Sequence, residues 1–207
     1  MKVKICGITN LEDAIAGSEL GADALGFIFV KSSPRYIPPE HAEHIIKELP
    51  PFITKVGVFA DATKDEIREI VYHTHVNCLQ LHGSETPEFA KDFDIPVIKS
   101  FRVTNGFNTS ILSKYTVSAF LLDTFVKDQL GGTGKTFDWN IAIEAKKYGR
   151  IILAGGLNEY NVLEAIKTVQ PYAIDVNSGV ESTPGKKDVE KLKRLFDIIG
   201  KLKTEIS

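Results

Sequence analysis

The chain has 207 residues, which fits one large domain or two small ones at about 150 residues per domain and excludes a long multidomain protein. Hydrophobic residues make up 43% of the chain and charged residues 25%, so a folded core is expected and disordered, collagen-like and coiled-coil chains are disfavoured. The 25 basic and 27 acidic residues give a net charge of -2, which lacks the basic surface expected of a protein that binds nucleic acid or an anionic membrane.

The apolar runs and the cysteines indicate where the protein works. No apolar run approaches the roughly 18 residues that a membrane helix needs. The N-terminal residues turn polar and acidic too early for the apolar stretch of a signal peptide. Two cysteines, Cys6 and Cys78, are too few for a disulfide scaffold. We therefore expect a cytoplasmic protein that is not integral to a membrane.

Short β-rich runs alternate with helical patterns along the whole chain. The runs begin near Val3, Ala24, Thr54, Cys78, Pro96, Ser118, Ile151 and Tyr172. They recur about every 24 residues, which is the length that one strand, one helix and two short loops require. Since no composition break divides the chain, the pattern predicts an α/β fold, a single (β/α)8 barrel over residues 1–207 with minimal loops.

The segments between these runs carry helix signals of unequal strength. Predicted starts are the capping-box pairs Thr9 with Glu12 and Thr63 with Glu66, the prolines Pro38 and Pro39, and the cap Asp138. The helix that Asp138 begins should end near Gly149. The weakest helical patterns lie at 87–92 and 108–114.

Two residues with acid-base chemistry stand at strand ends, where barrel enzymes carry their active sites. Cys6 ends the first strand beside Gly7 and a predicted helix, whose N-terminus would favour the thiolate. The alternative for Cys6 is a small buried hydrophobic residue. Asp123 ends the apolar sixth strand, where a carboxyl group can keep its proton and act as a general acid. Its alternative is a cap or a loop ion pair.

Glycines and an arginine at the same rim indicate an anionic ligand. Gly155 and Gly156 end the seventh strand, and Ser178 and Gly179 follow the eighth, at the positions where many barrels bind phosphate through backbone N–H groups. Two ordinary glycine turns are the alternative. Arg35, in the loop after the second strand, matches a planar carboxylate, although a lone surface arginine is more often simply solvated.

Two further patterns resemble a nucleotide-binding loop and a metal site, and the residues support neither. The segment 129–136 looks like a nucleotide-binding loop, but Gln129 stands where that motif needs glycine, so we predict a flexible lid. A linear cluster resembles a metal site and consists of His73, His75, Cys78 and His82. However, Cys78 and His82 occupy opposite ends of one strand, about 13 Å apart, so no single metal ion takes both.

Taken together, the strand-end motifs resemble the phosphoribosylanthranilate isomerase family. The motifs are KICGITN at 4–10, SPRYI at 33–37, QLHG at 80–83, LLDT at 121–124, GGTGKTFDW at 131–139, LAGGL at 153–157 and DVNSGVE at 175–181. The resemblance runs from end to end. It implies the Amadori rearrangement of N-(5-phosphoribosyl)anthranilate to 1-(o-carboxyphenylamino)-1-deoxyribulose 5-phosphate, in tryptophan biosynthesis, without metal or cofactor.

The resemblance also assigns roles to residues. It implies Cys6 as general base, Asp123 as general acid and Arg35 as the contact to the anthranilate part. The two glycine loops would bind the phosphate. His82, Asp175 and Glu181 would make minor contacts to the substrate.

Other interpretations stay open. An indole-glycerol-phosphate synthase would need a lysine at a strand end, whereas the best candidate, Lys55, begins its strand. A histidine-pathway isomerase would have aspartate in place of Cys6. A non-catalytic phosphate-binding barrel is the third alternative. In each case the expected partner is a small phosphorylated molecule, and both a monomer and a homodimer are compatible with the sequence.

Overall fold

Eight parallel strands close into a barrel in chain order, with β1 paired to both β2 and β8. The computed structural model describes residues 1–104, 106–123 and 139–206, and side chains as far as residue 202. The barrel strands are β1 (Lys2–Cys6), β2 (Ala24–Ile28), β3 (Thr54–Phe59), β4 (Cys78–Leu81), β5 (Val97–Arg102), β6 (Ala119–Asp123), β7 (Ile151–Ala154) and β8 (Ala173–Val176). Each begins within one residue of its predicted start, and the predicted (β/α)8 fold is confirmed.

Helices cover the outside of the barrel. They are α1 (Leu11–Glu19), α2 (Pro39–Glu48), α3 (Lys64–Thr74), α4 (Pro87–Ala90), α5 (Asn140–Ala145), α6 (Val162–Val169) and α7 (Val189–Ile206). Short 3-10 helices span Thr109–Lys114, Lys146–Tyr148 and Ser178–Val180, and a small antiparallel hairpin consists of β9 (Glu181–Thr183) and β10 (Lys186–Lys187).

The two weak helical patterns form only short helices. The segment predicted at 87–92 is a single turn, and the segment at 108–114 is a 3-10 helix. In the latter, the Asn108 side chain accepts a hydrogen bond from the Ser110 N–H, and the Ser113 hydroxyl donates to the Ser110 carbonyl. Such local hydrogen bonds compete with the α-helical pattern, which explains the tighter turn.

Of the predicted helix caps, one is confirmed, one is wrong and one lies outside the described residues. Thr63 forms the expected capping box with Glu66. Thr9 was the wrong residue, because the neighbouring Asn10 accepts the Asp13 N–H at 2.8 Å and the Thr9 hydroxyl donates to the Gly185 carbonyl instead. The predicted cap Asp138 lies outside the described residues. The expected end at Gly149 is found, where the residue caps a 3-10 turn with φ of 153°.

The barrel interior is divided between an apolar lower part and a polar upper part. The lower part is a cluster of Val56, Cys78, Ile98, Ala119, Leu121, Ile152, Ala154 and Ala173. Cys78 is buried in it, and this burial raises the pKa of its thiol to about 11. The polar upper part lies near the carboxyl ends of the strands, where barrel enzymes carry their active sites.

In the part of the chain that the structure describes, no helix is both long and apolar enough to cross a membrane.

Candidate active site

A cavity of about 360 Å³ lies at the carboxyl ends of the barrel strands. All nine site residues predicted from the sequence border it, namely Cys6, Arg35, His82, Asp123, Gly155, Gly156, Asp175, Ser178 and Gly179. Strand closure therefore brings them together from six of the eight strands and the loops that follow them. A second cavity, of about 460 Å³, opens at the other end of the barrel and contains none of the nine.

Cys6 lies deep in the wall of the upper cavity, with 4% of its surface exposed. The predicted helix N-terminus is not adjacent to it, because α1 begins only at Leu11. The largest favourable charge effect on the thiol comes from the Lys4 ammonium, on the same face of β1. Burial raises the pKa of Cys6, and Lys4 acts in the opposite direction.

Lys4 is held by Asp175 in a buried ion pair. The ammonium Nζ lies 3.0 and 2.9 Å from the two carboxylate oxygens, with side-chain exposures of 4% and 8%. Burial opposes the charged form of Lys4, but Asp175 and Cys6 together raise its pKa above the ordinary value. The structure thus places both oxygens of Asp175, which the sequence assigned to the substrate, on an ammonium group beneath the cavity.

The opposite wall carries Asp123 beside an imidazole. Asp123 ends β6 and keeps 25% of its side chain exposed, and its Oδ2 lies 3.6 Å from Nε2 of His82. The other ring nitrogen of His82 accepts from the Gln80 amide, with Nε2 of Gln80 and Nδ1 of His82 3.1 Å apart. His82 therefore lies between the Gln80 amide and the Asp123 carboxylate.

Arg35 reaches the rim through a bidentate pair with Glu181. Its Nε lies 2.8 Å from Oε1 and one terminal nitrogen lies 2.6 Å from Oε2. The same carboxylate accepts from the fully buried Lys187 at 3.1 Å and from the Gly185 N–H at 3.1 Å. Burial acts to raise the pKa of Glu181, but these donors outweigh it and hold the pKa below the ordinary value. The guanidinium is therefore fixed in place at the cavity edge.

The glycine loops after β7 and β8 pack closely against each other. Gly155 and Gly156 have φ values of 96° and 66°, in the left-handed region that favours glycine. A side chain at Gly179 would place its Cβ 1.9 Å from the Leu157 carbonyl oxygen. Both loops therefore need glycine, one for backbone conformation and the other for the approach of two backbones.

Three polar residues of the site were not found from the sequence. Lys4 and Gln80 each precede a predicted site residue by two positions on a strand, so the period-2 alternation places them on the same face and would have indicated them. Lys187 gave no such alternation signal, because it lies with its partner Glu181 in the small hairpin and not on a barrel strand. Within the described residues, no three His, Cys, Asp or Glu side chains are placed to hold a metal ion. Thr124 and residues 131–138 of the GGTGKTFDW motif, with the predicted lid at 129–136, lie outside the described residues.

Comparison with known proteins identifies similar sequences and structures along nearly the full chain. Residues 3–198 match the family model described as N-(5'phosphoribosyl)anthranilate (PRA) isomerase. A relative of that name from Citrifermentans bemidjiense is 51% identical over 195 residues, which cover 94% of this chain and 95% of the relative.

Two solved structures are similar to the fold described above. The phosphoribosyl anthranilate isomerase of Thermotoga maritima has a TM-score of 0.89 and 42% identity, over 97% of this chain and 99% of the other. An isomerase of the same name in complex with reduced 1-(o-carboxyphenylamino)-1-deoxyribulose 5-phosphate has a TM-score of 0.86 and 40% identity, over 97% and 99%.

The Glu181 network predicts an acid-sensitive contribution to stability. Replacement Glu181→Gln should lower the free energy of unfolding at pH 7 by roughly 2 to 3 kcal/mol, a little less than full removal of a buried partner because the amide oxygen still accepts. Since the folded-state pKa of Glu181 is below its ordinary value of 4.5, the contribution is present above about pH 4.5 and is lost as the pH falls through the folded-state pKa.

Urea unfolding of both proteins at several pH values measures this difference. The control is Glu43→Gln, which alters an exposed pair with Lys47 and should change stability little. Equal stability of Glu181→Gln and the unaltered protein at pH 7 would contradict the prediction.

Proposed function

The chain belongs to the N-(5'-phosphoribosyl)anthranilate isomerase family and is an isomerase of that substrate, and we propose that Cys6 and Asp123 carry out its two proton transfers. The observation that supports these roles is the shared cavity, in which a buried thiol with an adjacent ammonium and a partly exposed carboxyl group both line the wall. The family places the reaction in tryptophan biosynthesis.

The reaction begins at the ribose ring. Neutral Asp123 donates a proton to the ring oxygen, the C1'–O bond breaks, and the anthranilate nitrogen forms an iminium ion with C1'. This cation acidifies the hydrogen on C2', which the Cys6 thiolate removes as a proton to leave an enolamine. Tautomerisation to the ketone moves the enol proton to C1'. Transfer of one proton from the Cys6 thiol to the Asp123 carboxylate through solvent restores both groups, so no net proton is consumed.

The order of strands around the barrel gives the substrate its orientation. β7 and β8 separate β6, which ends in Asp123, from β1, which ends in Cys6. The glycine loops follow these two intervening strands, and we propose that they bind the substrate phosphate through backbone N–H groups. The ribose would then extend from the phosphate into the space between the acid and the base.

Arg35 is placed to bind the second charged group of the substrate, the anthranilate carboxylate. It lies after β2, on the far side of β1 from the phosphate loops, and its guanidinium is already oriented by Glu181. We propose that the donors left on the guanidinium bind the carboxylate of the anthranilate ring. The compound bound to the structural relative carries a carboxylate and a phosphate in one small molecule, which matches these two groups of donors.

The proposal needs no group beyond these side chains. Proton transfers use no redox centre, so the expected partner is the small phosphorylated substrate alone. The mechanism is compatible with a monomer or a homodimer. A reducing cytoplasm, which keeps thiols reduced, suits a mechanism that depends on the Cys6 thiolate.

The assay that tests the function uses purified protein and freshly generated phosphoribosylanthranilate. Chromatography should identify 1-(o-carboxyphenylamino)-1-deoxyribulose 5-phosphate, formed well above the spontaneous background. Tight substrate binding with no turnover at any pH would instead support a non-catalytic phosphate-binding barrel.

Removing either proton-transfer group should stop turnover without loss of the fold. We expect Cys6→Ala and Asp123→Asn each to lower kcat at least about 100-fold, the lower range for general acid-base groups, while substrate still binds. Steady-state kinetics measures the loss and circular dichroism checks the fold. The control is Cys78→Ala, which removes the thiol at the other end of the barrel and should keep kcat near that of the unaltered enzyme. Near-normal kcat in Cys6→Ala or Asp123→Asn would exclude that residue from the mechanism.

Loss of Arg35 should act on binding. Because a carboxylate contact is made in both the ground and transition states, Arg35→Ala should raise KM about 10-fold, equivalent to about 1.4 kcal/mol, with a smaller effect on kcat. Arg68→Ala, at an exposed arginine of α3, is the matched control. An unchanged KM in Arg35→Ala would mean that the arginine does not bind the substrate.

A further inference from the structure

We propose that Lys4 is a positioning residue for this reaction, because its buried ammonium, fixed by Asp175, stabilises the thiolate of Cys6 from beneath the cavity. The inference rests on the proposed role of Cys6 as the base. Lys4 is the next inward-facing residue below Cys6 on β1 and does not line the upper cavity. It therefore acts on the thiol and not on the substrate.

The backbone brings the two groups together. Lys4 and Cys6 are two positions apart on β1, so their side chains share the inner face of the barrel. Across from them on β2 lies Gly26, where an added Cβ would stand 2.8 Å from the Cys6 Sγ and 3.0 Å from the Lys4 Nζ. The space that this glycine leaves open is the space in which the thiol and the ammonium lie side by side.

Stability alone gives a weak reason for the charged pair. Burying two ions costs several kcal/mol per ion, and apolar side chains of similar volume often replace such a pair with no loss of stability. Apolar side chains of the cluster around Cys78 line the same lower cavity as Lys4. A lysine and an aspartate directly under a reactive thiol are better explained by what they do to that thiol.

The charges around Cys6 act in a definite order. Burial opposes the thiolate most strongly, followed by the favourable ammonium of Lys4 and the unfavourable carboxylate of Asp175. Lys187 also favours the thiolate, and the Arg35 guanidinium interacts favourably with it from the loop after β2. Of these cations, Lys4 has the largest favourable effect on the thiol. It therefore offsets more of the cost of burial than the others do.

Asp175 has two opposite effects in this arrangement. Without it, the Lys4 ammonium would be buried alone, which favours loss of its proton. With it, the ammonium stays charged, but the carboxylate itself disfavours a thiolate nearby. Cys6 itself also favours the charged form of Lys4, so the ammonium stays charged beside the thiolate when Asp175 is removed. Removal of Asp175 should therefore lower the thiol pKa, and removal of Lys4 should raise it.

The test measures that pKa without substrate. In a Cys78→Ala background Cys6 is the sole thiol, so its rate of alkylation by iodoacetamide as a function of pH gives its pKa directly. We expect Lys4→Met to raise the midpoint by at least about one pH unit, a tenfold loss of thiolate in the range below it. We expect Asp175→Asn to lower the midpoint. The acid limb of the kcat/KM profile should move with the midpoint in each variant.

Two further variants separate this effect from a structural one. The double variant Lys4→Met with Asp175→Asn leaves no unpaired buried carboxylate, and it carries the test if Lys4→Met alone does not fold. The matched control is Lys99→Met. Lys99 is equally buried on β5, with 2% exposure, and its Nζ lies 2.9 Å from the Glu85 carboxylate. Neither residue lines the cavity that contains Cys6. This control should lose stability while the Cys6 midpoint stays in place.

The outcomes distinguish the inference from the function on which it rests. An unchanged midpoint in Lys4→Met would overturn the role of Lys4 even if Cys6→Ala abolishes turnover. The double variant is compared with Asp175→Asn, since the two differ only at Lys4, and equal midpoints in these two would overturn it as well. Conversely, if Cys6→Ala keeps its turnover, the proposed base is wrong, whereas the midpoint shifts would still record the effect of Lys4 on the thiol. Midpoint shifts of opposite sign, accompanied by the same movement of the kcat/KM profile, support the inference.

Discussion

Charge buried at the upper end of the barrel is the feature on which the rest of the site depends. Two ion-paired groups lie in its wall, Lys4 with Asp175 and Lys187 with Arg35 through Glu181. Each buried ion loses hydration worth several kcal/mol, which is recovered only when every oxygen and ammonium finds a partner. The partners come from opposite ends of the chain, because β1 pairs with β8 when the barrel closes. Closure is therefore both the folding step that satisfies these charges and the step that assembles the site.

Glycine makes this concentration of charge sterically possible. Gly26 gives room to the thiol and the ammonium of β1, and Gly179 allows one loop to approach the carbonyl of Leu157 in the other. A barrel of eight strands has an interior just wide enough for side chains to fill. Space for polar groups, and for a substrate above them, must come from positions that have no side chain. The glycines of the upper rim are thus as much a part of the cavity as the residues that line it.

The sequence predicts the order and the starts of the strands better than it predicts the contacts between side chains. Strand starts follow from local alternation, and the strand-end rule together with the family resemblance selected nine residues that border one cavity. The alternation of β1 places Lys4 on the same face as Cys6, but its pairing with Asp175, 171 positions away, leaves no local pattern in the sequence. The cap assigned to Thr9 failed for a smaller reason. Thr9 and Asn10 are both good capping residues, and the choice between them depends on the Gly185 carbonyl that engages Thr9.

The two cysteines show how far chemistry depends on surroundings that a sequence does not display. Cys6 and Cys78 both lie on barrel strands, both are buried, and burial raises the pKa of each thiol. Lys4 lowers both pKa values, but Cys78 sits in an apolar cluster with burial as its dominant influence. Around Cys6 the same cation is joined by Lys187, at the edge of the upper cavity. A thiol becomes a candidate base only where cations offset the cost of burial, which is a property of the closed barrel and not of the residue.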